Sequence, residues 1–256
     1  MAPRAVALVT GAASGMGQLA ARRLAAAGTS VAALDVDEKG LEETVARAPN
    51  MRAWGCDVTD DAAVAHAVQE VEDELGPVER LVHAAGICLP GPLADQPVDE
   101  IERTMAVNYL GTVRVVHAVL AGMLERRRGD VVTFASLSGW LPSPHLGAYA
   151  ASKHAVVAFM EVLAYENRGS GVRFACVCPP VVDTPMVAGI QARDDAALGG
   201  QRGIDPSVVV DAIDTSLEAG ELFVLPGKGT KTAWRTRRFA PALIWRQIER
   251  ATSRRA

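Results

Sequence analysis

The sequence has few of the residues that build disulfide frameworks or metal sites. Its four cysteines, Cys56, Cys88, Cys176 and Cys178, form no CxxC pair, and the last two would share one face of a strand. Only five histidines occur, without an HExxH pattern, which argues against a catalytic metal. We therefore expect reduced thiols in a cytoplasmic protein that has no metal site.

Long apolar runs are also missing. No stretch of 18 or more apolar residues occurs, which argues against a membrane-spanning helix. The apolar start AVALVTGAASGMG runs into a glycine loop instead of a small-residue cleavage site. We therefore expect a soluble, unprocessed chain whose 256 residues can bury one large core.

Charge is unevenly distributed along the chain, although the net charge is only −4. Residues 228–256 contain nine Lys or Arg and one acidic residue, Glu249, so this segment carries +8 and the rest of the chain −12. This asymmetry predicts two parts: a main domain, 1–228, and a basic, aromatic C-terminal extension, 229–256.

Short apolar runs alternate with longer amphipathic stretches. This alternation predicts an α/β fold in which helices cover both faces of a parallel sheet, and continuous apolar runs are typical of its buried strands. The predicted strands are 5–10, 30–35, 51–57, 78–86, 129–136, 172–178 and 222–226. The predicted helices are roughly 16–27, 38–48, 60–75, 98–125, 149–168 and 206–219. The Gly-rich, aperiodic stretch 189–204 predicts a mobile loop.

A glycine-rich loop, VTGAASGMG, follows the first strand and opens the first helix. Glycines 11, 15 and 17 would let the backbone approach a pyrophosphate, although glycine at a tight turn also has a purely structural explanation. Asp35 ends the second strand, where a carboxylate can bind both ribose hydroxyls of an adenosine and repel a 2′-phosphate. An alternative role for Asp35 is to lead the next helix. No Lys or Arg lies in the loop, so NAD is favoured over NADP.

The segment GAYAASKHA places Tyr149 and Lys153 four residues apart. On a helix these side chains share one face, so they form either an exposed surface pair or a catalytic pair. In the second case the ammonium of Lys153 would stabilise the phenolate and lower the pKa of Tyr149, making it a general acid and base.

These motifs together resemble those of the short-chain dehydrogenases/reductases over residues 5–226. The TGxxxGxG loop matches 10–17, and the YxxxK motif matches Tyr149 and Lys153. The family's serine, 13 residues before its tyrosine, is matched by Ser136, and its asparagine by Asn108. The resemblance implies a single Rossmann-like, doubly wound sheet of about seven parallel strands in the order 3-2-1-4-5-6-7.

The resemblance implies an NAD-dependent oxidoreductase that interconverts a secondary alcohol and a ketone. Tyr149 would transfer the proton, Ser136 would polarise the carbonyl group, and Asn108 would hold a relay water that reaches Lys153. A different reading is a non-catalytic dinucleotide sensor or scaffold, but such proteins typically lose the tyrosine or the lysine. The implied cofactor-binding residues are Gly11, Ser14, Gly15, Met16, Gly17, Asp35, Asp57, Val58, Ala84, Ala85, Gly86, Tyr149, Lys153, Pro179, Val182 and Thr184.

Two positions depart from the family pattern. HAAG replaces the usual NNAG, and at this buried strand end His83 is expected to be a hydrogen-bonded structural residue rather than a second base. Pro180 replaces a glycine, so the loop beside the nicotinamide is expected to be stiffer or reshaped.

Residues near the catalytic positions are expected to line a substrate pocket. Most are apolar, which favours a hydrophobic substrate, although His145 could orient a polar group or simply face solvent. The predicted substrate-binding residues are Ser138, Trp140, His145, Val181 and Met186, together with Leu146 and the 189–204 segment.

Apolar residues lie on more than one face of the two helices that carry Asn108 and Tyr149. Wide apolar faces need cover, and the family pairs these helices, so a homodimer or homotetramer is expected. The apolar residues in question are Val113, Val116, Val119, Val156, Val157 and Phe159.

The C-terminal stretch 231–256 has helical spacing of apolar residues and an arginine-rich outer face. It is expected to pack over its own substrate cleft or on a neighbouring subunit. Contact with an anionic membrane surface is a second, less favoured reading, and nucleic-acid binding is not expected.

Overall fold

Seven parallel strands form one sheet in the order β3-β2-β1-β4-β5-β6-β7. This architecture comes from a computed structural model that describes residues 5–46, 48–141 and 143–252. The strands are β1 Val6–Thr10, β2 Ser30–Asp35, β3 Met51–Gly55, β4 Val78–His83, β5 Gly129–Phe134, β6 Val172–Val177 and β7 Phe223–Val224. The predicted doubly wound α/β fold and its strand order are confirmed.

Helices cover both faces of this sheet. They are α1 Gly15–Ala26, α2 Glu38–Val45, α3 Asp61–Leu75, α4 Val98–Met105, α5 Gly111–Glu125, α6 Gly147–Glu166, α7 Pro185–Arg193, α8 Pro206–Ala219, α9 Thr230–Phe239 and α10 Pro241–Thr252. One core lies between the sheet and α3, α5 and α6, and a second between the sheet and α1 and α8. Strands β1 and β5 are buried throughout because both of their faces are covered, as their unbroken apolar runs predict.

The longest helical stretch runs from Val98 to Glu125, with a π-helical turn, Ala106–Leu110, between α4 and α5. By length and composition alone it could cross a membrane. Its apolar residues Val115, Val119 and Met123 are instead buried in the core against the sheet, which accounts for its apolar composition.

The first part of the stretch 189–204 is helical rather than irregular, whereas 199–204 contains no regular helix or strand, and the predicted mobility stays a prediction. Helix α7 runs to Arg193, and a 3₁₀ turn, Asp195–Leu198, follows it. Pro185 occupies the first helical position, where its fixed φ suits a helix, and Ile190 and Leu198 are buried. Burial of these two apolar side chains therefore gives the segment an order that its composition does not indicate.

Most of the apolar residues on α5 and α6 that were expected to pair subunits are buried within the protein itself. Val116, Val119, Val156 and Val157 contribute to the core and cannot cover a partner. Val162, by contrast, lies on the outer side of α6 and is 55% exposed. The dimer or tetramer therefore stays a prediction.

The C-terminal extension forms helices α9 and α10 as far as Thr252, and residues 253–256 lie outside the described part of the chain. Thr230 is buried and donates a hydrogen bond from Oγ1 to the carbonyl oxygen of Pro226, 2.7 Å away. The ring of Trp234 lies 5.7 Å from that of Trp140, which in turn lies 5.1 Å from Phe223 of β7. These edge-to-face contacts attach α9 to the sheet.

A charged cluster joins β4, β5 and β6 at the end of the sheet where β5 begins. The carboxylate of Asp130 accepts hydrogen bonds from Nε of Arg80 at 2.9 Å and Nε of Arg173 at 2.7 Å. Asp130 is only 8% exposed, so these charge-assisted bonds are largely shielded from water. The carboxylate therefore holds two guanidinium groups of like charge at neighbouring strand positions.

We expect Asp130→Ala to lower the free energy of unfolding by about 1–3 kcal/mol, because the two arginines then face each other without their shared partner. Asp211→Ala is a matched control, since Asp211 pairs with Arg23 at the surface and its side chain is 67% exposed. That change should cost less than about 0.5 kcal/mol. Urea denaturation followed by circular dichroism measures both values, and equal losses would contradict the assignment.

Candidate active site

The carboxyl ends of β1, β4, β5 and β6 meet at one edge of the sheet. In an open parallel sheet this edge, near the point where the strand order reverses, is the usual ligand crevice. The glycine loop leaves β1 here, and the segments after His83, Phe134 and Val177 leave the neighbouring strands. The sequence motifs therefore converge on one crevice.

The glycine loop is packed so tightly that side chains would not fit at two of its positions. A Cβ atom on Gly11 would lie 2.6 Å from the backbone nitrogen of Ala85, and one on Gly17 would lie 2.1 Å from the carbonyl oxygen of Gly11. Gly15 has a φ of +55°, which favours glycine, and a Cβ atom there would lie 3.8 Å from the side chain of Thr184. The loop thus presents bare backbone and the N-terminus of α1, which suits a pyrophosphate.

Asp35 lies at the end of β2, beside the glycine loop. Its Oδ2 accepts a hydrogen bond from the backbone nitrogen of Ala13 at 3.0 Å, and its Oδ1 accepts one from that of Asp37 at 3.1 Å. These bonds fix the carboxylate in place, and each oxygen keeps a lone pair for a further donor. The position fits a ribose diol, and the carboxylate also braces the loop.

Asp57 and Val58, which are predicted to bind the cofactor, follow the end of β3. Oδ1 of Asp57 accepts hydrogen bonds from the backbone nitrogen and the hydroxyl group of Thr59, both at 2.8 Å. Val58 is buried against the start of α5, where a Cβ on Gly111 would lie 2.8 Å from it. Tight packing therefore sets the position of this turn.

Lys153 lies one turn after Tyr149 on α6, as the spacing predicts. Its Nζ is 5.7 Å from the centroid of the Tyr149 ring and donates a hydrogen bond to the carbonyl oxygen of Phe134 at 2.7 Å. Lys153 is only 4% exposed, and burial lowers the pKa of its ammonium group to about 8. The pair is therefore not an exposed surface pair.

Tyr149 differs from the sequence expectation in the direction of its pKa. Burial raises this pKa, charge on Cys88 raises it further, and a hydrogen bond with Ser136 opposes them. Lys153, whose Nζ lies 5.7 Å from the centroid of the Tyr149 ring and is bonded to Phe134, does not reverse this direction, because the cost of burying a phenolate is larger. The phenol is therefore protonated at neutral pH, and the predicted lowering of its pKa is wrong for this arrangement.

Ser136 follows β5 and shares the crevice with Tyr149. Its Oγ accepts a hydrogen bond from the backbone nitrogen of Ser138 at 3.1 Å, which orients the hydroxyl group. Ser136 is 8% exposed, so its hydroxyl lies in a largely dry site. There it can donate a hydrogen bond to an oxygen atom held beside the phenol of Tyr149.

Asn108 lies in the π-helical turn and is fully buried. Its side-chain amide donates hydrogen bonds to the carbonyl oxygen of Ile87 and to Oγ of Ser152, both at 2.9 Å, and its Oδ1 accepts one from the nitrogen of Ile87 at 2.8 Å. Both amide hydrogens are thus used to hold the loop after β4 against α6. The predicted water relay through Asn108 stays a prediction.

The backbone at Gly86 approaches these residues closely. A Cβ at Gly86 would lie 3.2 Å from Oδ1 of Asn108 and 3.5 Å from Nζ of Lys153. Ala84, Ala85 and Gly86 therefore form a thin wall between the glycine loop and Lys153. Glycine loop, acid and thin wall together form a cradle that fits a dinucleotide.

A mainly apolar cavity of about 420 Å³ opens from Ser136 and Tyr149. Ser138, Val181 and Met186 line it, as do Met16, Pro179, Val182 and Thr184 from the predicted cofactor set. Ala233 of α9 and Ile244 of α10 also line the cavity, which their sequence positions did not indicate. The remaining lining residues are Ala135, Leu137, Leu141, Ser143, Pro144, Leu146, Pro180, Val187, Ile190, Ala196, Ala197, Leu198, Gly199 and Gln201.

Two predicted substrate residues do not line this cavity. Trp140 turns away and packs between Phe223 and Trp234. His145 has a φ of +62°, and its Nδ1 lies 2.5 Å from Oδ2 of Asp194, so it joins the loop before α6 to the end of α7. Aromatic packing and this hydrogen bond decide the two orientations, and neither was visible from sequence.

His83 is a structural residue, as expected. Its Nδ1 lies 2.8 Å from Oγ1 of Thr10, and it is 1% exposed. Burial, assisted by the charge of Lys153, lowers the pKa of His83 to about 3. The ring is therefore neutral at physiological pH, and its low pKa makes it a weak base, which fits the expected structural role.

Comparison with known proteins agrees with this geometry. Residues 5–195 match the family model for short chain dehydrogenases. An "Inactive 2-(S)-hydroxypropyl-CoM dehydrogenase 2" of Xanthobacter autotrophicus is 43% identical over 63% of this chain and 71% of its own. A 2,3-dihydro-2,3-dihydroxybenzoate dehydrogenase of Bacillus subtilis is 34% identical over 75% of each chain.

Solved structures show the same resemblance. A short chain dehydrogenase/reductase from Burkholderia phymatum in complex with NAD superposes with a TM-score of 0.84, at 26% identity over 94% of this chain and 95% of its own. Actinorhodin polyketide ketoreductase with NADPH gives 0.82, at 31% identity over 88% and 97%. The fold and site thus define an oxidoreductase of the kind that uses a nicotinamide dinucleotide. The chain belongs to the short-chain dehydrogenase/reductase family.

We expect His83 to make folding sensitive to acid. Between pH 6.5 and about 3 the unfolded chain binds a proton at His83 that the folded chain does not, so stability falls as the pH falls through this window. The free energy of unfolding of the parent falls between pH 6.5 and 4.5, and in the variant His83→Asn this fall should be smaller by about 1–2 kcal/mol.

Urea titrations at a series of pH values provide the measurement. His66→Asn is the control, because the side chain of His66 is 74% exposed and its removal should leave the slope unchanged. A parental pH slope in His83→Asn would contradict the assignment.

Proposed function

We propose that this protein is an NAD-dependent oxidoreductase that interconverts a secondary alcohol and a ketone on a hydrophobic substrate. The observation that carries this proposal is the meeting of Ser136 and Tyr149 at the mouth of an apolar cavity, next to buried Lys153 and the glycine loop. A bound nicotinamide dinucleotide supplies or accepts the hydride. The protein positions the substrate and moves the proton.

In the proposed reduction, Ser136 donates a hydrogen bond to the carbonyl oxygen of the substrate and stabilises the negative charge that develops there. Tyr149 transfers its phenolic proton to the same oxygen. Burial raises the pKa of Tyr149, so the phenol is protonated at neutral pH and carries the proton that this direction needs, although the same shift makes it a weaker acid. In the oxidation, Tyr149 must lose that proton before it can accept one from the alcohol.

Lys153 has two proposed roles. Its ammonium group holds the ribose hydroxyls of the nicotinamide nucleoside, and its charge favours deprotonation of Tyr149 when the phenolate is needed. With a pKa of about 8, Lys153 can itself lose a proton near physiological pH. This suits a residue that passes protons between Tyr149 and solvent.

NAD is the proposed cofactor because Asp35 is held at the ribose position and carries a charge that repels a 2′-phosphate. Ala13 and Asp37 fix that carboxylate through their backbone nitrogens. No Lys or Arg occurs between Thr10 and Gly17 to bind a phosphate. The remaining proposed contacts are those of the family positions, with Val182 and Thr184 at the nicotinamide end.

The apolar lining of the cavity supports a hydrophobic ring or chain as the substrate, and its volume lies in the range of small-molecule pockets. Ser138, Ser143 and Gln201 provide a few hydrogen-bonding groups within it. The proposed setting is a cytoplasmic homodimer or homotetramer.

A non-catalytic sensor or scaffold is the second candidate, and a relative named as inactive makes it worth testing. The presence of Ser136 and Tyr149 beside buried Asn108 and Lys153 favours the enzyme, since a protein that only binds the dinucleotide has no need of a phenol and a hydroxyl group facing the cavity. Turnover of secondary alcohols with NAD by the purified protein discriminates the two.

We expect Tyr149→Phe to lower turnover by at least ~10², because a positioned general acid–base is lost, while NAD affinity stays within a few-fold of the parent. Tyr165→Phe is a matched control on the same helix, since Tyr165 is 65% exposed and outside the cavity. Steady-state kinetics and NAD titration measure both effects. Near-parental turnover in Tyr149→Phe would refute the assigned role.

We expect catalytic efficiency with NAD to exceed that with NADP by ~10-fold or more, an energy of about 1.4 kcal/mol. Asp35→Asn should shrink this preference, because it removes the repelling charge and keeps a side-chain acceptor. Asp73→Asn changes an exposed acid by the same charge and should leave the preference unchanged. Equal parental efficiencies with the two cofactors would rule out the role of Asp35.

A further inference from the structure

Helices α9 and α10 present two different surfaces. On the inner side, Ala233 and Ile244 line the cavity, and Ile244 is only 5% exposed. The C-terminal extension therefore packs over the cavity of its own chain, one of the two placements expected from sequence. It also makes the C-terminal helices one wall of the chamber that opens from Tyr149.

On the outer side, three large apolar side chains are exposed within seven residues. Phe239 is 80% exposed, Leu243 50% and Trp245 45%. We call these three residues the C-terminal apolar surface. Single exposed apolar residues are ordinary, but three large ones within seven residues, on both sides of the junction between α9 and α10, indicate an interaction site.

Exposed arginines lie on the same two helices. Arg235 and Arg238 on α9 and Arg246 on α10 are exposed, and none forms an ion pair with a side chain that the structure describes. The sequence from 230 to 246 contains no acidic residue. The surface therefore combines exposed apolar groups with positive charge.

An anionic bilayer is the partner with matching chemistry. Aromatic and leucine side chains enter the boundary between headgroups and acyl chains, and arginines bind lipid phosphates. Residues 1–227 carry −12 and are repelled by such a surface, so charge favours an approach through the basic segment 228–256. Charge thus sets the orientation as well as the attraction.

We propose that α9 and α10 dock this protein on an anionic membrane surface through Phe239, Leu243 and Trp245, with the flanking arginines on lipid phosphates. Because the same helices form a wall of the apolar cavity, docking places that cavity beside the bilayer. An apolar alcohol or ketone dissolved in the lipid is then the substrate class. This last step rests on the proposed function, whereas the docking does not.

The test is sedimentation of the full-length protein with vesicles of phosphatidylcholine containing phosphatidylserine, compared with phosphatidylcholine alone. We expect the protein to bind the anionic vesicles at least ~10-fold more tightly, and added salt to weaken the binding. The triple change Phe239→Ser, Leu243→Ser and Trp245→Ser should weaken it by at least ~10-fold. A second triple change, of Arg235, Arg238 and Arg246 to Gln, should abolish the preference for anionic lipid.

A matched control replaces three exposed valines on the body of the protein, Val36, Val98 and Val162, by serine. This variant should bind vesicles like the parent. Circular dichroism and melting temperature verify that each variant is folded. Equal binding by the parent and the apolar-surface variant, or no binding by the parent at physiological salt, would overturn the docking.

Light scattering of the same variants tests whether a second copy of the chain, instead of a membrane, covers the C-terminal apolar surface. A fall in oligomeric mass in the apolar-surface variant, without vesicle binding by the parent, would assign this surface to self-association and overturn the proposal. Turnover of a water-soluble secondary alcohol without vesicles distinguishes the two proposals. Vesicle binding without turnover refutes the enzyme and leaves docking intact, whereas turnover without vesicle binding refutes docking alone.

Discussion

The site depends on one buried cation. Lys153 is 4% exposed, and its Nζ donates a hydrogen bond to the carbonyl oxygen of Phe134 at 2.7 Å. An ammonium group out of water is costly unless it has hydrogen-bond partners, and its pKa falls to about 8 as a result. The same charge helps to keep His83 neutral. Burying Lys153 therefore costs stability at the carboxyl end of β5, whereas the charged cluster around Asp130 lies at the other end of the same strand.

The cavity above this cation is closed by segments from distant parts of the sequence. Arg193 donates to the carboxylate of Glu100 at 2.7 Å and 2.9 Å, which ties α7 to α4. His145 and Asp194 tie the end of α7 to the loop before α6. Helices α9 and α10 supply a further wall. Arg193 at the end of α7 and Asp194 at its C-cap therefore hold this helix, which lines the cavity, from two sides.

The motif residues could be predicted from sequence because their geometry is local. Tyr149 and Lys153 share a helix face whatever else surrounds them, and Asp35 follows a strand whose apolar run is unmistakable. Trp140 and His145 could not be placed in the same way. Their side-chain directions depend on Trp234 and Asp194, which come from segments far along the chain.

The sequence by itself determined a parallel α/β sheet through its strand–helix alternation, and the glycine loop with Asp35 and the Tyr149–Lys153 pair through short spacings. The strand order and the positions of Ser136 and Asn108 followed from the resemblance to the family. Only the tertiary structure decided that 189–198 is helical, that Ile244 lines the cavity, and that the pKa of Tyr149 is raised rather than lowered. The physical reason is that burial decides all three. Which atoms lose contact with water depends on segments that meet only after folding.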